Sequence, residues 1–157
     1  MRVLKILGVL VGVALVVIIV AAPIGPMPGI FIGGTETPVP QAWGDTGSVD
    51  EIHLQVGEGL IPRVVIIWVI QVDGDLHVVG AKDSGWTAMI GSGGPVRMRI
   101  GDETYNLRAE PVSAGWEPIL EAYVDKYRPD YPDIVAGFPA VDEAAETMAV
   151  FRLIRAG

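Results

Sequence analysis

The sequence predicts a mainly β, α+β domain whose antiparallel sheet closes on itself. Three observations carry that prediction. Six stretches between residues 51 and 154 alternate polar and apolar side chains or run β-branched, which is the pattern of strands. Turn signals such as Asp73-Gly74 and Gly101-Asp102 join neighbouring stretches closely enough for hairpins. Helical spacing recurs in few places, too few to supply the crossovers of a parallel sheet.

The chain begins with Arg2 and Lys5, then runs 17 residues from Ile6 to Ala22 without a charged or strongly polar side chain. Roughly 20 apolar residues in a helix cross a bilayer, and lipid offers the backbone no other partner. With Val3 and Leu4 added, residues 3–22 are expected to anchor the chain as a single transmembrane helix. Pro23, Pro26 and Pro28 then stop it. Basic residues at the front favour a cytoplasmic N-terminus, so a single-pass plasma-membrane protein with its C-terminal domain outside is expected. The alternative is a cleaved signal peptide, whose apolar region is usually about 7–15 residues.

Residues 26–157 hold 9 basic and 19 acidic side chains. Such an acidic surface argues against nucleic acid, which requires cations to displace its counterions. Absence of cysteine excludes disulfides, thiolate nucleophiles and Cys-ligated metal centres. Three parts are expected: residues 1–25 as anchor, 26–48 as a Pro/Gly-rich linker and 49–157 as the folded domain.

The elements follow in order. Glu51–Val56 alternates as a half-buried strand, and Val64–Val72 reads as one central β-branched strand. Asp73-Gly74-Asp75 is a hairpin turn leading into a strand from Leu76 to Ala81. Residues 84–91 suit a short helix capped by Asp83 or Ser84. Pro95–Ile100 and Thr104–Val112 are strands joined by the turn at Gly101. Leu120, Tyr123, Val124 and Tyr127 share one face of a helix over about residues 117–128, with Pro118 in its first turn and Pro129 ending it. Residues 131–145 read as a loop with a short helix, and Thr147–Ile154 as the last strand.

Residues 63–112, and more loosely 49–155, resemble the split β-barrel of the pyridoxamine-phosphate-oxidase-like and deazaflavin (F420)-dependent nitroreductase group. The likeness lies in Trp68-Val69-Ile70-Gln71-Val72-Asp73-Gly74-Asp75-Leu76-His77-Val78-Val79-Gly80-Ala81, then Lys82-Asp83-Ser84-Gly85-Trp86. It continues through Pro95–Gly101 and Thr104–Ala109. The resemblance implies an FMN-binding-like barrel, an FMN or F420 cofactor, a homodimer, and an oxidoreductase of nitroreductase type acting on a small acceptor. The alternative is a cofactor-free binding or assembly module.

In that group a basic, hydroxyl-bearing segment contacts phosphate, and here it falls at Lys82 and Ser84, with Trp86 beside them. A cation plus a hydroxyl near a helix start is sound anion-binding chemistry. Arg63 is the one basic residue between the first two strands. The plainer reading of these residues is a polar loop, a helix cap, a core tryptophan and a strand flank. No catalytic residue is assigned. His53 and His77 are the only histidines, too few ligands to define a metal site.

Overall fold

The computed structural model describes residues 10–17, 23–24, 27–57 and 61–156. The elements run α1 (residues 10–17), β1 (Thr35–Glu36), β2 (Glu51–Val56), β3 (Arg63–Trp68), β4 (Ile70–Val72) and β5 (Asp75–Ala81). Then come α2 (Gly85–Ile90), β6 (Gly94–Ile100), β7 (Glu103–Pro111), α3 (Glu117–Tyr127), α4 (Pro132–Val135), α5 (Val141–Thr147) and β8 (Met148–Arg155). The sheet order is β3-β2-β6-β7-β8-β5-β4, antiparallel throughout this path. Because β3 and β4 are consecutive in the chain, the two ends of that path meet at Val69 and the sheet wraps into a barrel.

The run read as one strand, Val64–Val72, is therefore two. β3 pairs with β2 and β4 pairs with β5, and Val69 lies between them in neither ladder. Val69 is fully buried, so its backbone groups need other partners. The Tyr127 hydroxyl accepts from the Val69 N–H at 2.9 Å. Its own proton can go to the Asp50 or the Val69 carbonyl, each 2.7 Å away. The Lys126 ammonium donates to the carbonyls of Val49 at 2.6 Å and Val69 at 2.9 Å. Burial lowers the Lys126 pKa from its ordinary value, an effect that Asp50 and Asp45 oppose.

Two apolar layers result. Inside the barrel pack Ile52, Leu54, Leu76, Val78, Met98, Leu107 and Leu153, with Trp86 and Ile90 of α2 beside them. Outside, Ile119, Leu120, Tyr123 and Tyr127 of α3 cover Ile70, Val79 and Val150 of the sheet. Alternation in β5 and β8 feeds both layers. Asp73 and Gly74 take positive φ of 52° and 87°, as a tight hairpin demands.

Residues 27–48, read as part of a linker, lie along the barrel. β1 pairs in parallel with β7, Thr35 opposite Glu103. The Thr104 hydroxyl donates to the Gly33 carbonyl at 2.7 Å, and Trp43 meets Tyr105 edge-on at 5.0 Å. Prolines kept this stretch from reading as a strand, and the pairing needs only two residues.

The single-pass plasma-membrane placement expected from residues 3–22 is overturned. Among the described residues no helix is long and apolar enough to cross a membrane. Residues 1–9, 18–22 and 25 of the expected anchor lie outside the described residues.

Tyr127→Phe should cost about 2 kcal/mol in urea unfolding, because it strands a buried N–H at Val69. Tyr131→Phe, whose hydroxyl makes no bond among the described residues, should stay within about 0.5 kcal/mol. Equal losses in the two variants would contradict this role for Tyr127.

Candidate functional site

Beyond Val69 the two strands diverge. β3 pairs with β2 and, at Val64 alone, with Gly29, while the outer part of β5, Val78–Ala81, pairs with β8; among the described residues no ladder joins β3 to Val78–Ala81. Beyond the Gly29 bridge, residues 66–68 of β3 and 79–81 of β5 thus face the gap without a ladder between them. The gap opens into a cleft of about 440 Å³ whose walls include Ile67, Trp68, Val79, Tyr123, Phe138 and Met148. That size suits a small organic ligand, since such sites run from roughly 300 to 1,000 Å³.

The aromatic groups here form a stacked set. Trp68 lies on Tyr127 with centroids 4.2 Å apart and planes 10° from parallel. Tyr131 and Tyr123 flank it at 4.9 and 5.9 Å. Tyr123 and Phe138 stack at 6.1 Å. Tyr123 is 4 % exposed. Where Tyr127 spends its hydroxyl on the strand break and Tyr105 donates to Glu103 at 2.7 Å, the Tyr123 hydroxyl has no partner among the described residues. Burial, then the neighbouring Tyr127, pushes its pKa well above the ordinary value, so it remains a protonated donor. The Tyr123 side chain lines the cleft, and its hydroxyl is left free to donate to water or to a ligand there. Among the described residues, exposed Glu51 is the only carboxylate, ammonium or guanidinium group on the lining.

The four sequence-predicted residues gather near the β5–α2 turn but their heads diverge. The Lys82 ammonium donates to the Ala145 carbonyl at 2.5 Å and borders a separate cleft of about 450 Å³. Ser84 sits at the α2 N-cap position, but its hydroxyl makes no capping bond and pairs with Thr87 Oγ1 at 3.0 Å. Trp86 is buried in the barrel, 5.9 Å from Phe151 and so close beneath Gly80 that a Cβ there would strike the indole. The Arg63 guanidinium lies over Gly85, where a Cβ would collide with it. Arg63 thus meets the Ser84-Gly85 turn, while Lys82 and Trp86 point elsewhere. Sequence reasoning missed Tyr123, Phe138 and Glu51 as site residues. Helical spacing marks Tyr123 as buried, and nothing in the sequence tells that its hydroxyl lacks a partner.

A third cleft, about 500 Å³, holds an ionic row on the outer sheet face. Cross-strand register places His77 beside Arg152 and Arg152 beside Glu110. Arg152 bridges Asp75 at 3.6 Å and Glu110 at 3.5 Å. His77 is buried and its Nδ1 lacks a partner in hydrogen-bond geometry. Burial lowers its pKa; Asp75 opposes this, Arg152 reinforces it and Asp73 opposes it. Burial and the facing Arg99 lower His53 in the same way, against Glu51. Among the described residues no group of three His, Asp or Glu side chains could hold a metal ion.

No family model matches this chain, and no curated protein matches it. Solved structures do. The FAD and haem binding protein of Mycobacterium smegmatis is 13 % identical, with 70 % of this chain and 62 % of that chain covered and a TM-score of 0.50. The protein Atu2129 of Agrobacterium tumefaciens, of unknown function, is 14 % identical over 76 % of this chain and 60 % of that one, also at 0.50. A protein provisionally described as a pyridoxamine 5'-phosphate oxidase, from Listeria innocua, is 14 % identical, covering 68 % and 84 % at 0.48. The likeness is one of fold alone: an antiparallel barrel with helices.

Both histidines are held neutral, so near pH 6.5 the folded chain binds fewer protons than the unfolded one. Their contribution to stability is complete above that pH and is lost as pH falls through 6.5 toward the folded-state values. Tm should drop between pH 7.5 and 5, and the drop should shrink in the double variant His53→Gln, His77→Gln. An equally steep drop in that variant would assign the loss to other groups.

Proposed function

We propose that this chain binds a flat heteroaromatic ring in the seam between β3 and β5, with a flavin as the leading ligand. One observation carries the reading: Tyr123 lines an aromatic-walled cleft, and its hydroxyl makes no bond to another group among the described residues. The rest of the lining suits the same ligand. Ile67, Val79 and Met148 offer apolar contact, Trp68 and Phe138 offer ring faces, and the diverging strand edges offer backbone N–H and C=O groups. A flavin ring is planar, and its edge carries carbonyl and nitrogen acceptors that fit the Tyr123 donor. A split-barrel neighbour described as an FAD and haem binding protein adds support for trying flavins first.

A bound flavin would supply hydride-transfer chemistry, and the chain would supply binding and orientation. Tyr123 would hold a ring acceptor, and the apolar walls would exclude water. An oxidoreductase acting on a small acceptor is the activity that would follow.

The full chain should bind riboflavin, FMN or FAD saturably, read by quenching of flavin fluorescence and of tryptophan emission. Tyr123→Phe should weaken binding about tenfold, the worth of one hydrogen bond of roughly 1.4 kcal/mol. Absence of saturable binding by every flavin would overturn the reading. So would binding that Tyr123→Phe leaves unchanged while the variant remains folded.

A further inference from the structure

Resting on that reading, we infer that the seam selects the uncharged ring system and discriminates against phosphorylated forms, so that riboflavin or lumichrome binds more tightly than FMN. The inference comes from where the cations lie. A phosphate at the end of a ribityl chain carries up to two negative charges and needs cations or several N–H donors to offset its desolvation. Among the described residues the seam lining offers Glu51 instead, a carboxylate, and no Lys or Arg.

The basic side chains of the elements around the seam have other partners, Lys126 among them through the Val49 and Val69 carbonyls. Lys82 follows Ala81, the last lining residue of β5, but its ammonium turns to the Ala145 carbonyl over a different cleft. The Arg63 guanidinium packs on Gly85 at the start of α2. Arg63 opens β3 and lies three residues before Ile66, the first residue of that strand on the seam. Arg128 pairs with Asp125 at 3.2 Å, and Arg152 bridges Asp75 and Glu110. A phosphate entering the seam would therefore meet a like charge at the rim, with its opposite charges held elsewhere.

The same lining states what the ligand should carry. It wants an acceptor for the Tyr123 hydroxyl, two apolar faces and, at the Glu51 rim, a hydroxyl or N–H donor. Riboflavin meets all three: ring carbonyls, a dimethylbenzene face and the ribityl hydroxyls. Lumichrome keeps the ring and lacks the ribityl chain, so it tests the ring contacts alone.

The experiment is a side-by-side titration of the full chain with riboflavin, lumichrome and FMN at about 50 mM salt, repeated at about 500 mM. Riboflavin should bind about tenfold more tightly than FMN, and the ratio should shrink at high salt, where like-charge repulsion is screened. Glu51→Gln should improve FMN binding about threefold and leave lumichrome unchanged. Lys82→Ala should alter FMN affinity less than twofold. FMN binding as tightly as riboflavin, or loss of FMN binding in Lys82→Ala, would overturn the selectivity while leaving the ring-binding reading intact. Failure of all three ligands to bind would remove that reading itself, and the selectivity with it.

Discussion

The break in the strand at Val69 is the constraint on which the rest of the structure depends. A continuous strand over residues 63–72 would pair along a single sheet and could not serve both of its ends. By leaving one residue out of both ladders, the chain hydrogen-bonds β3 to β2 and β4 to β5, and the barrel closes. An unpaired, fully buried backbone position would ordinarily be costly. The side chains of Lys126 and Tyr127 offset that cost from outside, through bonds of 2.6 to 2.9 Å to Val49, Asp50 and Val69. Two adjacent residues of α3 thus hold together three segments far apart in sequence.

Most of the other features follow from that arrangement. Docking Lys126 and Tyr127 at the break fixes the position of α3 over the sheet, and so sets which residues of β4, β5 and β8 face the outer apolar layer. It also places Trp68 against Tyr127, one residue before the break, where the planes lie 10° apart. Because the strands diverge past Val69, a gap must open on the side of β3 away from β2. Tyr123, one helical turn before Tyr127 on the same face of α3, is carried to that gap. The cleft is thus a geometric consequence of how the barrel closes. Its chemistry comes from whichever side chains α3 and the segment up to Phe138 bring to it.

Local pattern made much of the fold legible. Alternation in Glu51–Val56 and Thr104–Val112 placed strands at β2 and β7, because one face of each meets the barrel core. Asp73-Gly74 named its own turn. Pro118 and Pro129 bounded α3. The break at Val69 was not legible, since Val-Val-Ile-Ile-Trp-Val-Ile-Gln-Val has uniform β propensity and no glycine or proline to mark a change of partner. The candidate site was legible only as a list of polar residues. Lys82, Ser84 and Arg63 stand out in the sequence, yet their partners are Ala145, Thr87 and the face of Gly85. The pairings with Ala145 and Gly85 join parts of the chain more than 20 residues apart.

By itself the sequence determined the strands, the hairpin at Asp73-Gly74, the amphipathic α3 and the acidic character of residues 26–157. Each is a property of neighbours within one element or of composition, and short-range periodicity records both. Tertiary structure alone decided that one strand would break and that residues 32–46 would lie on the barrel. It also decided that Tyr123 rather than Lys82 would line the aromatic cleft. The physical reason is the same in each case. A hydroxyl, an ammonium or a strand edge takes its role from the group that meets it, and that group is supplied by a distant part of the chain.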